Sequence, residues 1–288
     1  MRYIISLVVI VGLALAIAGC TRAARVIQPQ QPAAQVSAVE PAQRITEHRA
    51  SNQTNAQAQE QDEAMPLCED LVAYYPFSGN AKDASGHHHN GTVNGGVTLC
   101  PDRHGHQNRA YRFDGNNGFI NVPYAPAFNI PDQLTLSAWI RIDALPQYPH
   151  YFHVINKARW YNPDGWDGSY WLAIGCEAYQ YRWSFAFAPA GQNAIDHWSA
   201  NGLAAGQWYL LTAVFDSQKD SIWLYRNGAI ESRFRETNAM AADTFSLWIG
   251  KRCCRETAFD YFDGAIDEVR IYKKALSASE VQDLYNGE

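Results

Sequence analysis

The chain has 288 residues, of which 47% are hydrophobic, 13% aromatic and 18% charged, and its formal net charge is −6. This composition is typical of a globular protein, and the acidic balance excludes a nucleic-acid binder that works through a basic face. Residues 66–288 carry 18 basic and 24 acidic side chains. That excess of carboxylates favours cations over phosphates as bound ions.

The N-terminus is predicted to be an export signal. Arg2 precedes an apolar run from Tyr3 to Ile17, which ends in Ala18-Gly19-Cys20. This pattern is typical of a secretory signal peptide over residues 1–20; the alternative, a transmembrane helix, needs about 20 apolar residues. Ile17-Ala-Gly-Cys20 resembles the lipobox of bacterial lipoproteins. The resemblance implies an exported, membrane-anchored lipoprotein acylated on Cys20, in the outer membrane if the host is Gram-negative.

Residues 21–65 are predicted to be a disordered tether. They contain nine Gln, several Ala and Pro, and no aromatic residue, Gly or Cys. Such a segment cannot bury enough apolar surface to offset the entropy lost on ordering. A helix over part of the tether is the alternative, because Ala and Gln are good helix formers.

From Pro66 onward the pattern predicts antiparallel strands, because short alternating segments are broken by Gly, Pro, Asn and Asp. Residues 134–142 alternate apolar and polar, as in a strand with one inner face. Residues 208–215 are apolar on both faces, as in a covered central strand. Asn227-Gly228 favours a tight hairpin between residues 221–226 and 230–234. Further candidate strands are 71–77, 109–114, 118–122, 151–156, 169–175, 181–187, 245–250 and 265–272, which together imply one two-sheet domain over residues 66–288.

The last apolar segment predicts a short amphipathic helix. Ser277 and Glu280 have the spacing of a capping box, and Val281, Leu284 and Tyr285 follow at helical spacing. We expect this helix to close the domain by covering a sheet edge or a barrel end.

Several spaced motifs resemble the laminin G-like, concanavalin A-like jelly-roll superfamily, in order from about residue 71 to 286. They are Leu71–Gly86, Tyr111–Gly115, Leu134–Ile142, Trp223–Gly228, and Phe262–Tyr272 followed by Leu276-Ser277 and Glu280. The resemblance implies an all-β, antiparallel two-sheet jelly-roll sandwich. Members of the superfamily include lectins, carbohydrate-binding modules, adhesion domains and some glycoside hydrolases and lyases, so the fold alone does not decide the function.

Asp267 is a candidate metal ligand. A period of two in residues 265–272 places it on the same face as Ala265, Val269 and Ile271. A carboxylate in an apolar register is costly unless it is paired, hydrogen-bonded or bound to metal. It either accepts backbone N–H bonds or binds Ca²⁺, which prefers several oxygen ligands. The resemblance implies that Asp83 lies near the family's calcium site, so we predict one structural Ca²⁺ shared by Asp83 and Asp267.

Residues 157–168 are predicted to form a ligand-binding loop rich in tryptophan. Aromatic rings suit the apolar face of a sugar, and amide, carboxylate and guanidinium groups suit its hydroxyls. The alternative is that the tryptophans fold back onto a sheet edge as a local core. Trp198, in Asp196-His-Trp-Ser, is a further candidate from another loop. The candidate ligand-binding residues are Arg159, Trp160, Tyr161, Asn162, Asp164, Trp166 and Asp167.

The cysteines after Cys20 predict disulfides, because export permits them. We expect Cys68 to pair with Cys100, and Cys176 to pair with Cys253 or Cys254. One of the five thiols then stays free or pairs elsewhere.

No motif with named catalytic roles is found. The chain lacks the Glu-x-Asp-x-x-Glu string typical of retaining glycosidases on this fold, as well as Gly-x-Ser-x-Gly and His-Glu-x-x-His. The sequence therefore favours a lipid-anchored, non-catalytic glycan-binding protein of the cell envelope. Two alternatives stay open: an adhesion or structural component that binds an envelope or extracellular protein, and a polysaccharide hydrolase or lyase.

Overall fold

The structure is a computed structural model that describes residues 67–146, 150–161, 165–177, 180–189, 192–252 and 261–287. The predicted signal peptide with Cys20, the tether, and residues Asn162, Asp164, Cys253 and Cys254 lie outside the described residues. The same holds for the side chains of residues 159–161, 165–168, 176 and 177. Within the described ranges, no helix has the length and apolar character needed to cross a membrane.

The described residues form an all-β sandwich with one α-helix. The elements are β1 (Leu71–Tyr75), β2 (Thr92–Asn94), β3 (Val97–Cys100), β4 (Ala110–Asp114), β5 (Phe119–Val122), β6 (Gln133–Ile142), β7 (Tyr151–Tyr161), β8 (Gly165–Glu177), β9 (Gln180–Phe187), β10 (Ile195–Trp198), β11 (Trp208–Asp216), β12 (Ser221–Arg226), β13 (Ala229–Arg235), β14 (Leu247–Ile249), β15 (Asp263–Tyr272) and α1 (Ala278–Asn286). Two short 3₁₀ turns cover Pro126–Phe128 and Ser217–Lys219.

The strands are divided between two antiparallel sheets. The eight-stranded sheet has the order β13-β12-β11-β6-β15-β4-β3, with β1 also paired to β15. The seven-stranded sheet has the order β10-β9-β8-β7-β14-β5-β2. The predicted two-sheet jelly-roll architecture is therefore confirmed.

The main core lies between the two sheets, and the predicted strand faces account for it. The five apolar residues that alternate along β6 are all buried in this core. Strand β11 is covered on both sides, as predicted: Leu211 and Phe215 face the core, whereas Leu210 and Val214 belong to a second apolar cluster on the outer face.

Helix α1 covers the outer face of the eight-stranded sheet. The predicted capping box is present, with Ser277 accepting from the Glu280 N–H and the Glu280 side chain accepting from the Ser277 N–H. Val281 and Leu284 pack in the outer apolar cluster, which includes Trp139 of the central strand β6. The helix also contacts β13, the edge strand of this sheet, so the predicted cover of a sheet edge is confirmed in part, and the helix extends from there over the outer face.

The predicted Cys68–Cys100 disulfide is also wrong, because Cys100 carries a free thiol. Strand positions explain this result. Cys100 ends β3 and pairs with Ala110 of β4, one residue from the level of Ile266 on β15, whereas the chain enters β1 opposite Tyr272. That offset corresponds to about 15 to 20 Å along a strand, and a disulfide needs Cα atoms within about 7 Å. Burial raises the pKa of the Cys100 thiol to about 11. The pairing of Cys176 with Cys253 or Cys254 lies outside the described residues and stays a prediction.

Candidate functional site

The outer face of the seven-stranded sheet carries a row of side chains that crosses every strand. Strand pairing aligns them in one register, and six strand spacings make the row about 29 Å long. The middle of the row is buried and its two ends reach solvent. In strand order the row is Asp196, Ala186, Trp171, Asn156, Trp248, Asn121 and Thr92.

Arg252 lies over the middle of this face. It follows β14 by three residues, is largely buried, and interacts electrostatically with His153 on β7 and Asp196 on β10. Burial, reinforced by the Arg252 charge, holds the pKa of His153 well below its usual value. The imidazole of His153 is therefore neutral at neutral pH, and Arg252 is a buried cation on this face.

Two aromatic side chains form a platform at the β10 end of the face. The rings of Tyr151 on β7 and Trp198 on β10 have centroids 6.0 Å apart and an interplanar angle of 40°. Both side chains are half-buried. Gly175 on β8 lies beneath them: a Cβ atom there would stand 2.5 Å from the Tyr151 ring and 3.0 Å from the Trp198 ring. Only glycine permits this close approach. We call Tyr151 and Trp198 the aromatic platform.

Polar groups stand beside the aromatic platform. Asp196 precedes Trp198 by two residues, so both side chains leave the same face of β10. The Asp196 side chain is exposed; it accepts a hydrogen bond from the Ser184 hydroxyl at 3.4 Å and another from the Trp171 side chain. Aromatic rings next to a fixed carboxylate and a hydroxyl suit a ligand with one apolar face and several hydroxyls.

The tryptophan-rich segment predicted as a loop is instead the end of a hairpin. Strands β7 and β8 continue through it, and Trp160 pairs with Trp166 and Arg159 with Asp167 across the two strands. Tyr161 is the last residue of β7. The side chains of these residues, and all of Asn162 and Asp164, lie outside the described residues. The structure therefore places the backbone of Arg159, Trp160, Tyr161, Trp166 and Asp167 in two paired strands, and the role of the predicted site in ligand binding stays a prediction.

Sequence reasoning identified Trp198 but missed the other half of the platform. The local pattern places Tyr151 only within a candidate strand, residues 151–156. An isolated glycine within a strand is a signal of close approach by another group, and Gly175 follows the apolar run that ends at Ile174. The side chains that approach Gly175 come from other strands, and the local sequence pattern does not show which strands are its neighbours.

Asp83 is a buried carboxylate that accepts three backbone N–H groups. The donors are Tyr74 at 3.0 Å, Ser85 at 2.9 Å and His89 at 2.9 Å. Burial alone would raise the pKa of Asp83, but these hydrogen bonds outweigh burial and lower it. Asp83 therefore fastens the turn after β1.

Asp267 lies on the outer face of the eight-stranded sheet, so its predicted position in the apolar register of Val269 and Ile271 is wrong. A β-bulge shifts the register after Asp267, and Glu268 adopts a left-handed conformation with φ +47°. Asp267 pairs with Trp139 of the outer cluster, whereas Val269 and Ile271 face the core. The period of two assumed from the sequence fails at the bulge.

Asp83 and Asp267 have different hydrogen-bond donors among the described residues. Asp267 accepts the Glu268 N–H at 2.8 Å, and its other oxygen is 3.8 Å from the Arg103 guanidinium. Both oxygens of Asp83 accept backbone N–H groups. No three His, Cys, Asp or Glu side chains of the described ranges are grouped to hold a metal ion. The calcium ion shared by Asp83 and Asp267 stays a prediction.

We expect the Asp267→Asn variant to change how stability depends on pH. Burial, with the neighbouring Glu268 charge, raises the pKa of Asp267 to about 8. The folded state therefore holds this proton more tightly than the unfolded chain, and the contribution of Asp267 to wild-type stability falls between about pH 4 and pH 8. Relative to wild type, the variant should gain more than about 2 kcal/mol from pH 4 to pH 9, with an upper limit of about 5 kcal/mol set by a pKa of about 8, as measured by urea denaturation. A variant less stable than wild type at pH 9 would contradict this account and is the result that a calcium ligand predicts.

Comparison with known proteins gives the same fold. The Laminin G 3 family, described as the concanavalin A-like lectin/glucanases superfamily, matches residues 114–282. No curated protein matches the chain.

Several solved structures resemble this one. Domain 4 of AbnA, a GH43 extracellular arabinanase from Geobacillus stearothermophilus, solved with arabinotriose, has a TM-score of 0.56 at 20% identity over 75% of this chain and 98% of its own. The binding domain of Paraclostridial Mosquitocidal Protein 1 has a TM-score of 0.61 at 20% identity, covering 77% and 53%. The botulinum neurotoxin serotype D ligand binding domain, solved with N-acetylneuraminic acid, has a TM-score of 0.56 at 16% identity, covering 77% and 52%.

These structural matches show a shared fold, because their sequence identities are low. The chain spans about half the length of the toxin binding domains it matches. The family match covers more than half of the chain and includes β6, β11 and most of α1. The chain therefore belongs to the concanavalin A-like lectin/glucanases superfamily.

Proposed function

We propose that the protein binds a glycan at the aromatic platform on the outer face of the seven-stranded sheet and does not alter it chemically. The observation that carries this proposal is the close approach of Tyr151 and Trp198 over Gly175. Superfamily membership supports it, as do the similar domains that were solved with arabinotriose and with N-acetylneuraminic acid.

The chemistry of the platform suits recognition of a sugar ring. The indole of Trp198 offers a flat apolar surface to the C–H face of a pyranose or furanose. Asp196, on the same face of β10, can accept hydrogen bonds from the hydroxyls of that sugar. The Ser184 and Trp171 donors hold the carboxylate in place before the ligand arrives, which reduces the cost of binding.

The location of the protein is part of the same proposal. The lipobox resemblance supports a lipid on Cys20, and the composition of residues 21–65 supports a flexible tether. The sandwich would then be displayed away from the membrane to which the lipid is attached.

A glycan array with the purified full-length protein tests the proposal. We expect the Trp198→Ala variant to bind the retained glycans at least about tenfold more weakly, because the variant loses the aromatic surface on which the sugar stacks, and aromatic pairs contribute about 0.5 to 1.5 kcal/mol beyond their buried area. Trp208→Ala is the matched control, since Trp208 is a half-buried tryptophan on the other sheet, and this variant should bind normally.

Three outcomes would count against glycan binding at the platform. They are undiminished binding by Trp198→Ala, equal losses in both tryptophan variants, and co-purification with one envelope protein that sugars do not disturb. New reducing ends on a polysaccharide substrate would contradict the non-catalytic part. Repeating the array with a chelator tests the predicted calcium ion.

A further inference from the structure

A groove lies at the free edge of the eight-stranded sheet, where the ring of Phe234 on β13 also packs against His197 on β10 of the other sheet. Strand β13 is the last strand of its sheet and pairs only with β12. The groove has a volume of about 430 Å³. We call it the edge groove, and it is lined by Lys219, Asp220, Ser221, Arg233, Phe234 and Arg235.

Backbone hydrogen bonds hold the two walls of the edge groove together. One wall is the turn from Asp216 to Ser221, and the other is the end of β13. Ser221 pairs with Arg235, and the Glu236 N–H donates to the Asp220 carbonyl at 2.9 Å. The Asp216 carboxylate, which is wholly buried, accepts the Gln218 and Lys219 N–H groups and fixes the turn. The groove is therefore formed by two restrained segments.

The positive charges of the edge groove exceed its exposed negative charge. Arg233 lies 5.5 Å from the Trp223 ring centroid and forms no ion pair with the described residues. Arg235 is 3.7 Å from Asp220, but both side chains are exposed, so this ion pair is weak. Lys219 has 69% of its side chain exposed, and its ammonium lies 3.1 Å from the buried Asp216 carboxylate, so Lys219, Arg233 and Arg235 exceed Asp216 and Asp220 by one positive charge. This local excess of cations contrasts with a domain whose carboxylates outnumber its basic groups.

Arginines on an edge strand also discourage pairing with another chain. That role requires only charge at the edge. Protection of the edge does not explain why Arg233 lies against the Trp223 ring. It also does not explain why cations from two separate segments border one cavity.

We propose that the edge groove binds an oxyanion, namely a sulfate, phosphate or carboxylate group carried by a larger ligand. Arg233 supplies a planar guanidinium whose N–H groups match two oxygens of such a group. The aromatic ring of Trp223 restrains that guanidinium, so less entropy is lost when the anion binds. Arg235 and Lys219 add charge from the two walls.

Titration of the full-length protein with sodium sulfate, followed by NMR against sodium chloride at equal ionic strength, tests this site. We expect saturable shifts of the amides of residues 219–221 and 233–235. Arg233→Ala should weaken sulfate binding at least fivefold. Asp220→Asn should tighten it about twofold, because it removes the exposed carboxylate of the groove.

Two controls separate this site from general charge and from the platform. Arg109→Ala removes an exposed arginine elsewhere on the domain, and Trp198→Ala alters the platform; both should bind sulfate as wild type does. Shifts that do not saturate, that chloride reproduces, or that persist unchanged in Arg233→Ala would overturn the proposal.

Discussion

Replacement of Gly264 by alanine should abolish cooperative folding. Gly264 has φ +147°, and a Cβ atom there would lie 2.1 Å from the carbonyl oxygen of Arg141 and 3.0 Å from the Cα of Ile142. Both are backbone atoms of β6, the neighbour of β15 in the middle of the eight-stranded sheet. Neither can move without separating the two strands, so we expect a loss of more than about 4 kcal/mol.

Thermal and urea denaturation, followed by circular dichroism, measure this effect. Gly79→Ala is the matched control. Gly79 also has a positive φ, of +79°, but nothing lies within 4 Å of its Cβ position. Its variant should lose only the conformational cost of about 1 to 2 kcal/mol. Similar unfolding temperatures of the two alanine variants would contradict the close contact of Gly264 on β15 with the backbone of β6.

Loss of the Lys157–Asp243 ion pair should be the second most damaging change. The Lys157 side chain is fully buried and the Asp243 side chain is 3% exposed, and the two are in direct contact. The Lys157 ammonium also donates to Asn129 at 3.0 Å, and the Ser169 hydroxyl donates to Asp243 at 2.6 Å. Burial lowers the pKa of Lys157, while the bond to Asp243 opposes that shift and favours the charged form.

Lys157→Ala leaves a buried carboxylate without its cation, which costs about 3 to 5 kcal/mol. We expect the free energy of unfolding, measured by urea denaturation, to decrease by this amount. The control is Arg112→Ala, which breaks the partly exposed ion pair of Arg112 with Asp143 at 2.8 Å and should cost less than about 1 kcal/mol. Equal losses in the two variants would show that burial does not set the strength of the Lys157–Asp243 pair.

The Lys157–Asp243 ion pair involves the same two strands, β7 and β8, that contribute to the platform. Lys157 is on β7 and Ser169 on β8, the strands that also carry Tyr151 and Gly175. Asp243 comes from the connection between β13 and β14. The pair therefore fastens a connection of the sandwich to the two strands under the platform.

The sequence was sufficient for the fold but not for details that depend on register. The alternation along residues 134–142 identified one face of the core, because side chains of a strand alternate regularly. The same rule misplaced Asp267, since a bulge formed by a residue with positive φ leaves no clear local signal. The glycine of Phe262-Asp263-Gly264 was visible as part of a motif, but its contact with Arg141 joins segments more than 100 residues apart.

The candidate site was predictable only in part for the same reason. Trp198 stood out as an aromatic residue beside a carboxylate. Its proximity to Tyr151 depends on the order β10-β9-β8-β7 and on the absence of a side chain at Gly175. Likewise, Trp171 and Trp248 belong to one row because β7 lies between β8 and β14, which no local pattern indicates.

A crystal structure of the protein with the oligosaccharide that it retains most strongly on the array tests glycan binding at the platform most directly. We predict a sugar ring stacked on the Trp198 indole, with a hydroxyl of that ring in hydrogen-bond contact with the Asp196 carboxylate. An oligosaccharide bound to the eight-stranded sheet, with Tyr151 and Trp198 left uncovered, would contradict the proposed function.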